Sequence, residues 1–65
     1  MSSLGSAIRK FRKAAKLTQE KLSESVGVTA KYLQYIESGR RNPSLKTLYK
    51  IASALKIKAG DLLPH

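Results

Sequence analysis

The side chains in this 65-residue chain that can do chemistry are mostly hydrogen-bond donors rather than nucleophiles. Thirteen Lys and Arg stand against four acids, a formal net charge of +9. A field this positive on so small a body favours a polyanionic partner. Charge alone does not choose among nucleic acid, an acidic membrane surface and plain solubility, so position must decide. Lys31 and Gln34 stand three residues apart. An ammonium can donate to guanine O6 or N7, and a carboxamide can bond adenine bidentately. Just ahead of them, Thr29 and Ala30 carry methyl groups that suit a thymine methyl. A helix cap and a helix former account for those two residues as well. Tyr35 reads either as a further base contact or as packing on the protein. Ser38, Arg40, Arg41 and Asn42 follow, with donors suited to phosphate oxygens.

Other chemistries find little support. Glu20 and Glu24 are one helical turn apart and resemble an acid–base pair, but no nucleophile or metal ligand accompanies them. The chain has no cysteine, and its single histidine, His65, is the last residue. No metal, cofactor or small-molecule ligand is therefore expected, and no catalysis. The first six residues have no apolar run like a signal peptide's, and no stretch reaches the ~20 apolar residues that span a bilayer. The sequence reads as soluble and intracellular. Its basic residues are not set opposite a broad apolar face, which argues against a membrane-surface role.

Elements must then place the donors. Residues 1–65 read as a single all-α domain, with five short helical stretches and no strand-like alternation. The first, about 3–16, repeats Leu4, Ala7, Ile8, Phe11 and Ala15 at helical spacing, with Arg12 at the stripe's edge and Arg9, Lys10, Lys13 and Lys16 off it. The second opens with Thr18 as cap, Leu17 and Leu22 as a hydrophobic staple, and ends at Gly27. The third repeats that construction, with Thr29 as cap, Val28 and Leu33 as staple, and Gly39 closing. Leu33 and Ile36 face inward with Tyr32 beside them, while Ala30, Lys31, Gln34, Tyr35 and Ser38 fall outward. A fourth helix follows Ser44 and carries Leu45, Leu48, Ile51, Ala52 and Leu55 on one stripe, with Tyr49 expected at the core edge. The fifth is a brief turn around Ala59 to Leu63, anchored by Ile57 and Leu62.

Two short capped helices joined through Gly27 make helix-turn-helix punctuation over about 18–38. Ser23 is small enough for the two helices to approach closely. Leu17-Thr18-Gln19-Glu20-Lys21-Leu22, Val26-Gly27-Val28-Thr29 and Tyr32-Leu33-Gln34-Tyr35-Ile36-Glu37-Ser38-Gly39-Arg40-Arg41-Asn42-Pro43-Ser44 resemble the phage-repressor/Cro type of helix-turn-helix protein, also called the xenobiotic-response-element family. The resemblance runs from about Leu4 to Leu63. It departs at Ser23, where alanine is usual, at Lys58, the usual cap position of the fifth helix, and at Gly60 within that helix.

The resemblance implies a compact five-helix repressor-like fold and a homodimer on palindromic double-stranded DNA, in the cytoplasm of a bacterium or encoded by a phage. In this motif the second helix reads base edges and the first crosses the backbone. Thr29, Ala30, Lys31, Gln34 and Tyr35 are then the base-reading candidates, and Gln19, Ser38, Arg40, Arg41 and Asn42 the phosphate contacts. The matching family positions also imply an ion pair between Arg12 and Glu37. The leading expectation is a sequence-specific transcriptional regulator. The alternative is an antitoxin or adaptor that uses the same fold for protein–protein contact.

Overall fold

Three of the four helices begin on a hydroxyl that caps their first turn. In the computed structural model, which describes residues 4–62, Thr18 Oγ1 accepts from the Lys21 amide at 3.0 Å. Thr29 Oγ1 accepts from the Tyr32 amide at 3.0 Å and Ser44 Oγ from that of Thr47 at 3.1 Å. Each cap satisfies one amide that the helix itself leaves unpaired. The helices they start are α2 (Gln19–Val26), α3 (Ala30–Glu37) and α4 (Leu45–Leu55), with α1 spanning Leu4–Ala14. The sequence suggests five helices, but the fifth element is a single 3-10 turn at Ala59–Asp61. Its N-cap position holds Lys58, whose side chain has no acceptor, so the Asp61 carboxylate reaches back to the Lys58 amide at 3.0 Å instead.

The turn between α2 and α3 depends on Gly27. Its φ of +88° is left-handed, and its amide and that of Val28 both donate to the Ser23 carbonyl, at 2.8 and 3.0 Å. Glycine takes this conformation without a Cβ penalty. Ser23 is itself buried, and its hydroxyl turns back to the Glu20 carbonyl at 2.8 Å, so the small side chain at the helix contact leaves no orphan polar atom. At the end of α3 the closing residue is Ser38, with Gly39 one position beyond it at φ +84°. The ends of α1 and α4 reverse on Lys16 and Lys56, both left-handed at φ 60° and 59°.

Ile8, Leu22, Val26, Leu33, Ile36, Leu48, Ile51, Ala52, Leu55 and Leu62 form one core to which every helix contributes. Helix α2 packs on α3 and α4, and α1 packs on α3 and α4. Gly5 marks a close approach of α1 to the end of α3, since a Cβ there would collide with the carbonyl oxygens of Ile36 and Glu37. Three apolar residues depart from their expected places. Ala15 is exposed because α1 has ended at Ala14, and helical spacing no longer carries it inward. Leu45 is 66% exposed in the first turn of α4, one turn before the buried Leu48, and Tyr49 is 59% exposed because it is rotated about 100° from Leu48. Leu63 and His65 lie outside the described residues.

Candidate nucleic-acid interface

Helix α3 has two unlike sides. Leu33 and Ile36 sink into the core and Tyr32 is half-buried against it, whereas Lys31 and Gln34 are exposed. Thr29 is exposed, Ala30 and Tyr35 are half-buried, and Ser38, Arg40, Arg41 and Asn42 are exposed after the helix. Eight residues at 1.5 Å rise make a rod about 12 Å long, and an α-helix about 10–12 Å across fits a major groove about 12 Å wide. The Thr29 hydroxyl is spent as the cap of α3.

The Tyr35 carbonyl takes three of the bonds that tie the loop after α3 to the helix. Tyr35 O accepts from the Arg40 amide at 2.9 Å, the Arg41 amide at 3.2 Å and the Ser38 hydroxyl at 3.1 Å. The two arginines therefore leave the end of the helix from a fixed point. Lys31 Nζ lies 5.8 Å and Arg40 Cζ 5.9 Å from the centroid of the Tyr35 ring.

Behind this surface is a buried ion pair. Arg12 Nε donates to Glu37 Oε2 at 2.7 Å and its Nη2 to Glu37 Oε1 at 3.1 Å, a two-pronged contact between α1 and α3. Arg12 Nη1 also donates to the Leu17 carbonyl at 2.7 Å, which ties the pair to the segment just before α2. The side chains are 10% and 4% exposed, so the pair is shielded from water.

Gln19 joins the same group, its Nε2 donating to Glu37 Oε1 at 3.1 Å. One N–H and the carbonyl of its amide are left for other partners. A polar cleft lined by Arg9, Arg12, Gln19, Gln34, Glu37 and Ser38 brings Gln19, from the start of α2, together with Gln34 on α3 and Ser38 at its C-cap. Arg9, which the apolar period of α1 leaves off the inward stripe, also lines this cleft. The signal was available: Arg9 precedes Arg12 by one turn of α1, so an Arg12–Glu37 contact carries it to the same end of α3. The only acid in the cleft lining, Glu37, is engaged by Arg12, and the rest of the lining is cationic or neutral.

The comparisons with known proteins point to one family. The helix-turn-helix family profile matches residues 8–62. The immunity repressor protein of Bacillus phage phi105 is 42% identical over 60 residues, which are 92% of this chain and 42% of the repressor. The restriction-modification controller protein C.AhdI from Aeromonas hydrophila superposes with a TM-score of 0.90 at 37% identity, over 92% of this chain and 91% of the controller. SinR, a master regulator for biofilm formation solved in complex with DNA, superposes with a TM-score of 0.90 at 32% identity, over 95% of this chain and 100% of that one. With its two capped helices, the Gly27 turn and an exposed α3, this chain belongs to the helix-turn-helix family, in its phage-repressor/Cro branch.

Proposed function

We propose that the chain is a sequence-specific transcriptional regulator that binds double-stranded DNA with α3 in the major groove. The observation that carries this reading is the outer side of α3, where Lys31 and Gln34 stand in solvent, Gln34 in one cleft with Gln19 and Ser38, and Lys31 at the Tyr35 ring with Arg40. In this reading Lys31 and Gln34 read base edges, and Ala30 and the Thr29 methyl lie against thymine. Tyr35 borders the same surface. Gln19, with its remaining N–H at the start of α2, grips a phosphate, as do Ser38, Arg40, Arg41 and Asn42, and Arg9 adds a further cation.

Two copies belong to the same reading. A rod about 12 Å long meets only about four base pairs at 3.4 Å each. At about 1–3 kcal/mol for a good contact, one such half-site discriminates little against a genome of competitors. A homodimer on a palindrome doubles the address, with half-site centres about 34 Å apart or a multiple of that. This reading places the chain with the DNA, in the cytoplasm; no helix among the described residues is long and apolar enough to cross a membrane. A protein-binding adaptor has one observation in its favour, the exposed Leu45 and Tyr49 one turn apart on α4. A partner there would leave α3 free.

Selection of bound sites from a random duplex library tests the reading. Enrichment of a two-fold symmetric motif is expected, with an affinity that falls steeply with salt as lysine and arginine displace counterions. Recovery of unenriched sequence, or a flat salt titration, contradicts it.

A further inference from the structure

The ring of Tyr35 lies within 6 Å of two cations that the proposed function gives different tasks, Lys31 on the base edges and Arg40 on phosphate. An aromatic face attracts cations at this range. Without such an attraction, two like charges brought to one ring from the first turn of α3 and from the loop after it repel, and their long side chains sample many conformers. Building on the DNA-binding reading, we propose that Tyr35 is a positioning residue, whose ring orders Lys31 and Arg40 in the free protein so that both side chains reach DNA already arranged.

The surroundings separate this task from general structure. The backbone of Tyr35 anchors the loop by accepting from Arg40, Arg41 and Ser38, and substitution of the side chain leaves that carbonyl in place. Tyr35 is half-buried and lies outside the set of residues that form the core, so a helix-forming replacement keeps the fold. Its phenolic hydroxyl takes no part in the proposed task, which needs only the ring face. This distinguishes a positioning ring from a tyrosine that reads a base through its hydroxyl.

The test compares Tyr35→Phe and Tyr35→Leu on the duplex selected by the wild-type chain. Because ordering a long side chain at an interface carries an entropic cost, Tyr35→Leu should bind about tenfold more weakly. Tyr35→Phe should bind within about twofold of wild type with unchanged base preference, because the ring face remains. The loss should disappear when Tyr35→Leu is introduced into a Lys31→Ala, Arg40→Ala background, which leaves nothing for the ring to order. In the free protein, the terminal methylenes of Lys31 and Arg40 should show upfield ring-current shifts in wild type and Tyr35→Phe and lose them in Tyr35→Leu. If Tyr35→Phe is as impaired as Tyr35→Leu, if Tyr35→Leu binds as well as wild type, or if the methylenes are unshifted, the assignment is overturned while the DNA-binding reading stands. A wild-type chain with no affinity for duplex overturns both.

Discussion

Arg12→Met tests the element that holds the interface in place. The substitution removes three hydrogen bonds at once, two to Glu37 and one to the Leu17 carbonyl. It leaves a carboxylate only 4% exposed with Gln19 as its one remaining side-chain partner. Breaking one side of a buried ion pair costs about 3–5 kcal/mol, because the surviving charge stays out of water without compensation. A 65-residue domain has about 3–10 kcal/mol in total to lose. Urea denaturation followed by circular dichroism should therefore show the midpoint falling by about 3 M, given a slope near 1 kcal/mol per M for so small a chain, or no folded baseline at all. Arg12→Met combined with Glu37→Leu should recover most of the loss, since no unpaired charge then remains. A cost below about 1 kcal/mol for Arg12→Met alone, the value expected of a solvent-exposed pair, would refute the reasoning.

Gly5→Ala should destabilise by about 1–3 kcal/mol or more in thermal denaturation, because its methyl meets the fixed carbonyls of Ile36 and Glu37 rather than a side chain that can move aside. Lys56→Gly should stabilise by up to about 1 kcal/mol in the same assay, since it relieves a left-handed lysine at the end of α4. Arg40→Ala and Arg41→Ala should each lower the slope of log affinity against log salt by about 0.9 and weaken binding to all sequences alike. By contrast, Lys31→Ala or Gln34→Ala should relax preference at one base pair by about 1–3 kcal/mol, measured on single-base variants of the selected duplex.

Much of this architecture is legible in the chain because its signals are local. The threonine caps, the Leu17–Leu22 and Val28–Leu33 staples and the Gly27 turn are each written within a few residues, and the structure carries the caps and the turn where the spacing puts them. Apolar spacing puts Ile8, Leu33, Ile36, Leu48, Ile51, Ala52 and Leu55 in the core, the staple puts Leu22 there, and Leu62 anchors the last turn as expected. The misses are tertiary. Periodicity cannot tell that nothing covers the first turn of α4, so Leu45 looked buried when it is exposed. Nor can it see Gly5 meeting the far end of α3, a contact between residues more than thirty positions apart. Lys16 and Lys56 reverse their helices at positions where glycine is usual, so composition gave no sign of the turn. At the interface, the outward placement of Lys31 and Gln34 follows from the helical period. The attachment of Gln19 to Glu37, and the arrival of Arg9 beside both, depend on how α1 crosses α3.

The central claim is that the outer side of α3 is the surface that meets DNA. Titration of the isotope-labelled chain with its selected duplex, followed by NMR, examines that surface residue by residue. The account predicts the largest shifts at Lys31, Gln34 and Tyr35, at the Gln19 carboxamide and through Arg40 and Arg41, with the Leu45 and Tyr49 end of α4 little changed at the protein–DNA contact. Shifts gathered on α4 while the α3 signals stay in place would contradict it.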